Sequence, residues 1–180
     1  EVIRQLGLEG DLVFGDGERP LRGGGGVAAT EWCSWRGATL QGVVHDENAQ
    51  VLGGVAGHAG LFGTADAVAR LVEGLAAGRA GPGELAVADM WDLRHRVGTH
   101  VLGWDTMSVP VSSAGTRMSA PHTVGHLGFT GTSVWLDRSR GLVVVLLTNR
   151  VHPSREDGRI RSLRPAVHDA VVDALEGGMG

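Results

Sequence analysis

Gly125-His126-Leu127-Gly128-Phe129-Thr130-Gly131-Thr132-Ser133 sets one histidine among three glycines and runs directly into two apolar stretches, Val134 to Asp137 and Leu142 to Thr148. Glycine weakens a strand interior, so its usual reason for being there is that something approaches the backbone closely. The pattern predicts a strand over Thr123–Leu127 and two further strands joined by Arg138-Ser139-Arg140-Gly141, a hairpin-sized connection containing glycine. Leu142–Leu147 is apolar at every position. That predicts a central strand covered on both faces.

Helices surround this sheet. Thr64 is a suitable N-cap, and Val68, Leu71, Val72 and Leu75 fall on one face of the helix that follows, which Gly78 ends. Pro82–Arg96 reads as a second helix, with Leu85, Val87, Met90, Trp91 and Leu93 apolar. Val101–Trp104 reads as a short strand. A last helix runs over residues 162–176, with Pro165 in its first turn and Leu163, Val167, Ala170, Val171 and Leu175 as its buried stripe. Residues 1–40 are mostly irregular. Val2, Ile3 and Leu6 read as the last turns of a helix closed by Gly7, and a helix without a cap at residue 1 suggests part of a longer chain. The expected layout is therefore one α+β domain over residues 1–180: helical at 64–96, sheet strands at 101–149, and a helix packed across one face of an antiparallel sheet.

Composition narrows the function. The 180 residues, 42% of them hydrophobic, suffice for one real core. All 16 basic residues are arginine, the net charge is -4, and the arginines are dispersed rather than gathered on one stripe, so no nucleic-acid partner is expected. Leu142–Leu147 is the longest apolar run and is far short of the roughly 20 residues that span a bilayer. No signal peptide is visible at the start, and the compartment stays open. The single cysteine, Cys33, permits no internal disulfide and reads as a small buried hydrophobe.

Two segments are candidates for chemistry. In the first, His126 stands on a strand beside an active site, Gly128 clears space for a substrate, and the N–H of Phe129 donates to a developing oxyanion; the competing reading is a glycine-rich strand with a buried histidine. In the second, His45-Asp46-Glu47-Asn48 sits between apolar stretches. It is either a functional loop or a place where Asp46 and Asn48 cap a turn or helix. A metal site is not expected, because Pro121 and the glycines break the helix that His122 and His126 would need, and no HExxH or cysteine cluster exists. No cofactor is expected. There is no G-x-S-x-G elbow. The chain contains no lysine and no tyrosine, so a Ser-x-x-Lys nucleophile does not lie within it.

Taken together, Leu40-Gln41-Gly42-Val43-Val44-His45-Asp46-Glu47-Asn48-Ala49, Gly53–Ala65, Leu102-Gly103-Trp104-Asp105, Ser113–Arg117, Gly125–Asp137 and Thr148–Pro153 resemble the serine hydrolases of the beta-lactamase and penicillin-binding-protein family, in its class C-like branch. The resemblance covers residues from about 30 to the end. It implies an antiparallel sheet flanked by helices, here incomplete, with the N-terminal half and its nucleophile helix missing. It also implies a serine nucleophile with a lysine three residues later, a Tyr-x-Asn motif, and a Lys-Thr-Gly or His-x-Gly motif on a sheet strand. His126-Leu127-Gly128 matches the last of these, which makes the Phe129 N–H one oxyanion donor. The other motifs would precede this region. By the same resemblance Leu127 and Thr130 line the substrate, Arg117 pairs with a substrate carboxylate or forms a surface ion pair, and His45, Asp46 and Asn48 line or brace the opposite wall. The implied partner is a small-molecule or peptide substrate with an ester, amide or beta-lactam carbonyl. The alternative is a non-catalytic module of the same fold that binds peptide or cell-wall ligands.

Overall fold

The computed structural model describes residues 1–15, 21, 26–81 and 87–178. The elements in chain order are α1 (Val2–Gln5), β1 (Leu12–Phe14), β2 (Trp32–Cys33), β3 (Ala38–Thr39), α2 (Glu47–Val51), β4 (Leu61–Gly63), α3 (Ala65–Ala76), α4 (Val87–Met90), β5 (His100–Val101), β6 (Trp104–Thr106), β7 (Thr123–Leu127), β8 (Thr132–Asp137), β9 (Leu142–Leu147) and α5 (Ile160–Gly177). The main sheet is antiparallel, in the order β5-β6-β7-β8-β9. Two small antiparallel pairs, β1 with β4 and β2 with β3, lie outside it.

The alternation of side chains along β7 and β8 builds two cores. On one face Val124 and Leu136 pack with Val72 of α3, Trp91 and Val101. On the other Trp135 and Val144 pack with Val172 of α5, Met107, Ala114 and Met118. Trp135 is buried because Gly125 lies opposite it in the register. A Cβ on Gly125 would overlap the Trp135 ring and the Val134 carbonyl. The glycine in this strand is thus required by an aromatic side chain lying across it.

Several expectations are corrected. Residues 101–104 are a hairpin corner, with Val101 ending β5, Gly103 at φ 76° and Trp104 opening β6. In the expected helix over 82–96, residues 82–86 lie outside the described residues; the remainder divides into α4 and a short 3-10 turn at Leu93–His95, started by the Asp92 carboxylate accepting from the Arg94 N–H. Strand β9 is the outermost strand of the described sheet rather than a central one. It touches both cores, yet only Val144 in it is buried. Uniform apolarity reports covered faces and says nothing about a strand's edges, which is why the sequence misplaced it.

Helix α5 begins at Ile160, two residues earlier than expected, because Ser162 and Leu163 already donate to the Arg159 carbonyl. Pro165 therefore lies in its second turn. Its buried side chains are Ile160, Arg164, His168 and Val172, a stripe of spacing four that contains two polar residues, while Leu163 and Leu175 are exposed. The helix turns this face inward because both polar groups find carbonyl acceptors there. Arg164 donates to Gly128 and Thr132, and His168 Nδ1 donates to Ser113 O at 2.9 Å. Burial lowers the pKa of His168, which keeps its ring neutral.

Candidate active site

The four residues between β7 and β8, Gly128-Phe129-Thr130-Gly131, form a turn whose carbonyls are all engaged. Gly128 O accepts from Gly131 N at 3.1 Å and from Arg164 Nη2 at 2.7 Å. Phe129 O accepts from Arg150 Nε at 2.7 Å, Thr130 O from Arg150 N at 3.0 Å, and Gly131 O from Thr148 Oγ1 at 2.6 Å. Gly131 sits at φ 115°, and a Cβ there would press on Thr148 Oγ1 and the Arg150 N–H. Glycine is needed at this corner for both reasons. Within this fixed turn the N–H groups of Phe129 and Thr130 donate to no acceptor among the described residues.

His126 is exposed on β7, one residue beyond the positions where β6 pairs with that strand. Its Nδ1 lies 2.9 Å from Leu127 O. A carbonyl only accepts, so Nδ1 carries the proton and Nε2 is left for an outside partner. A Cβ on Gly128 would overlap Thr132 Oγ1, so the first need for glycine there is internal to the turn.

Phe129 is a meeting point. Its ring stacks on His45, with centroids 5.7 Å apart and an interplanar angle of 22°. Arg150 Cζ stands 4.2 Å from its centroid and Arg155 Cζ 5.7 Å, both within cation–π range. His45 is buried and its Nε2 lies 2.9 Å from Glu31 Oε1. Glu31 also takes the Arg155 backbone N–H at 3.1 Å and its guanidinium, whose Nη2 reaches on to Glu47 at 2.8 Å. The Arg155 hydrogen bond, opposed by burial and aided by His45, holds the Glu31 carboxyl at about 2. Asn149 and His152 donate to Ala29 O and Thr30 O, which fastens the segment after β9 to the segment before β2. His45 is thereby brought to Phe129.

Asp46 and Asn48 are placed otherwise. Asp46 is the N-cap of α2, its Oδ1 accepting from Ala49 N at 2.8 Å and lying 3.0 Å from His58 Nε2. The Ala49 N–H is the main reason its pKa is lowered. Asn48 is exposed on α2. Arg117 is engaged with the C-terminal half of α5, its guanidinium 2.6 Å from both Asp173 and Glu176, while Asp169 takes its backbone N–H. Those carboxylates lie nine and twelve residues beyond Arg164, roughly 13–18 Å along the helix. The structure does not bring Arg117 to the turn.

Beside the turn lies a cavity of about 360 Å³, whose lining includes Leu127, Gly128, Phe129, Arg150, Arg161 and Arg164. Glu156 and Asp157 also reach its wall, but Asp157 is held by Arg159 at 2.9 and 2.5 Å. Arg155 is spent on Glu31 and Glu47 and Arg164 on two carbonyls, while Arg161 is exposed and its guanidinium fork suits a carboxylate. Arg164 is buried, and it has no carboxylate partner among the described residues. Burial and the nearby Arg150 charge both lower its pKa.

The beta-lactamase family model matches residues 18–168. The chain belongs to the beta-lactamase family. A "Putative D-alanyl-D-alanine carboxypeptidase" of Escherichia coli (strain K12) is 33% identical over 126 residues, covering 65% of this chain and 29% of the relative. The protein of the same name from Salmonella enteritidis PT4 (strain P125109) is 31% identical over 156 residues, covering 78% and 36%. The chain therefore spans about a third of the length of these curated relatives. Among solved structures, a beta-lactamase from Mycobacterium bovis superposes with a TM-score of 0.51 at 21% identity, over 69% of this chain and 47% of that one. The fold is accordingly the mixed helix and antiparallel sheet of a beta-lactamase domain, in part.

Sequence reasoning missed Glu31, Arg150, Arg155 and Arg164. The one local sign was in α5, where Ile160, Arg164, His168 and Val172 recur every four residues, so a charge was threaded into an inward-facing stripe.

Proposed function

We propose that this chain supplies one wall of a serine hydrolase site, with the Phe129 N–H as an oxyanion donor and His126-Leu127-Gly128 as the strand along which the substrate lies. The observation that carries this reading is the Phe129 N–H: it donates to no acceptor among the described residues, in a turn whose every carbonyl is fixed. A preorganised donor of this kind costs no rearrangement when charge develops on the carbonyl oxygen.

The nucleophile lies elsewhere in a longer protein, because this chain has neither lysine nor tyrosine. There a serine Oγ, relieved of its proton through a lysine and a tyrosine, attacks an ester, amide or beta-lactam carbonyl. The C–O or C–N bond then breaks, the leaving group takes the proton, and water releases the acyl group. His126 shapes the polarity at the leaving-group side through Nε2. The names of the relatives suggest a peptide substrate that ends in a free carboxylate, and Arg161, which is exposed and lines the cavity, suits that carboxylate better than Arg117 does. Leu127 and Thr130 border the substrate, and His45 braces Phe129 from the other side, while Asp46 and Asn48 shape that wall through α2.

A second reading is a binding module for peptide or cell-wall ligands, in which the rest of the longer protein carries no nucleophile either. Intact-mass spectrometry of the full-length protein after exposure to benzylpenicillin or a fluorophosphonate separates the two. A stable adduct on a serine outside residues 1–180 is expected; no adduct, with ligand bound reversibly, supports the module instead.

A further inference from the structure

The turn that carries the oxyanion donor is gripped from outside the sheet. Arg164 Nη2 lies 2.7 Å from Gly128 O and 2.7 Å from Thr132 O, the two carbonyls that bracket the turn. Gly128 O and the Phe129 N–H belong to one peptide unit. That unit is planar, and in its trans form the C=O and N–H point in opposite directions. Whatever fixes Gly128 O therefore aims the Phe129 N–H.

The bond also carries charge. Arg164 is 8% exposed, its Nε is buried without an acceptor, and no carboxylate neutralises it among the described residues. A buried guanidinium without a counter-ion is costly unless its field is used. Here the field falls on a carbonyl oxygen and polarises the peptide, which strengthens the N–H on its far end as a donor.

We propose that Arg164 is a positioning residue for the oxyanion donor, acting through the Gly128–Phe129 peptide; this role rests on the acyl-transfer reading above. Arg164 does not touch the substrate carbonyl. Its contribution is realised as the tetrahedral oxyanion forms, so it enters kcat more than KM.

The test uses the full-length protein, an activated ester or beta-lactam substrate, and phenylboronic acid as a tetrahedral-anion probe. Arg164→Met is expected to lower the acylation kcat about 10- to 100-fold with KM changed less than about threefold, and to weaken boronate binding in parallel. Arg164→Lys, which keeps a cationic donor but not the planar fork that reaches both carbonyls, is expected to fall only about three- to tenfold below wild type. His168→Phe, one turn along the same helix face, controls for simple loosening of α5. It is expected to lower the melting temperature while leaving kcat within about twofold. A folded Arg164→Met protein with unchanged kcat and boronate affinity overturns the proposal, as does an equal loss of kcat in His168→Phe. If Arg164→Met does not fold, Arg164→Lys carries the measurement: a roughly three- to tenfold fall in kcat and boronate affinity supports the role, and wild-type values for both overturn it. A wild-type protein that neither acylates nor binds the boronate overturns the acyl-transfer reading itself, and this role with it.

Discussion

Arg150 holds Phe129 twice, its Nε 2.7 Å from the Phe129 carbonyl and its Cζ 4.2 Å from the ring centroid. One side chain thus fixes both the peptide that follows the candidate oxyanion donor and the ring beside it. A lysine offers a point charge on a flexible stem and reproduces neither the in-plane Nε donor nor the flat stack. Arg150→Lys is therefore expected to slow acylation of the full-length protein about tenfold, and Arg150→Ala somewhat more. Stopped-flow acylation rates with a chromogenic beta-lactam or ester check this. Wild-type rates in Arg150→Lys would show that the second contact is incidental.

Gly125 predicts a stability effect rather than a catalytic one. Even the methyl of alanine would overlap the Trp135 ring and the Val134 carbonyl, so Gly125→Ala must displace a tryptophan that is 1% exposed. Overpacking of this kind costs about 1–3 kcal/mol. Urea unfolding should show the midpoint falling accordingly; a midpoint within error of wild type would mean that the strand can shift freely, contrary to the packing seen here.

The N-cap of α2 gives a smaller expected effect. Asp46→Ala removes the acceptor for Ala49 N and the partner of His58, at a cost of about 1 kcal/mol. Asp46→Asn keeps the cap and should recover most of it. A large loss of acylation with stability intact would instead assign Asp46 a direct role on the substrate.

Acid should destabilise the protein in two stages. The buried ring of His168 has its pKa lowered from 6.5, so the unfolded chain binds the proton more readily and stability begins to fall as the pH drops below about 6.5. Glu31 is held at about 2 against an ordinary 4.5. Its contribution is complete above 4.5 and is lost as the pH falls toward 2. Melting temperatures from pH 8 to 3 check this. His168→Phe should flatten the first stage, and Glu31→Gln should flatten the second while lowering stability at neutral pH, since it strips Arg155 and His45 of a shared partner.

The legible parts of the fold were those whose periodicity is local. Thr64 with Val68, Leu71, Val72 and Leu75 announces α3, and the stretches Thr123–Leu127 and Val134–Asp137 announce β7 and β8, although β8 begins two residues earlier, at Thr132. His126, Gly128 and Phe129 were legible as a group because the turn is one continuous segment. What surrounds Phe129 was not. Glu31 and Arg155 are 124 residues apart, and no period connects them. The sequence leaves Arg117 open between a substrate carboxylate and a surface ion pair, because a loop arginine before a strand carries no sign of which carboxylates α5 will present to it. The inward face of α5 was misread because Arg164 and His168 look like solvent-facing residues until their carbonyl partners are known.

The central claim is that the Phe129 N–H receives the oxyanion, and removing that hydrogen tests it most directly. Phe129→Pro deletes the donor. The preceding Gly128 has no Cβ to clash with the proline ring, and Phe129 does not occupy positive φ. Phe129→Ala removes the ring and keeps the N–H. The measurement is the acylation rate of the two variants in the full-length protein, with melting curves confirming that both are folded. The account predicts a fall of about 100- to 1000-fold in Phe129→Pro and less than about tenfold in Phe129→Ala. Equal rates in the two variants would contradict it.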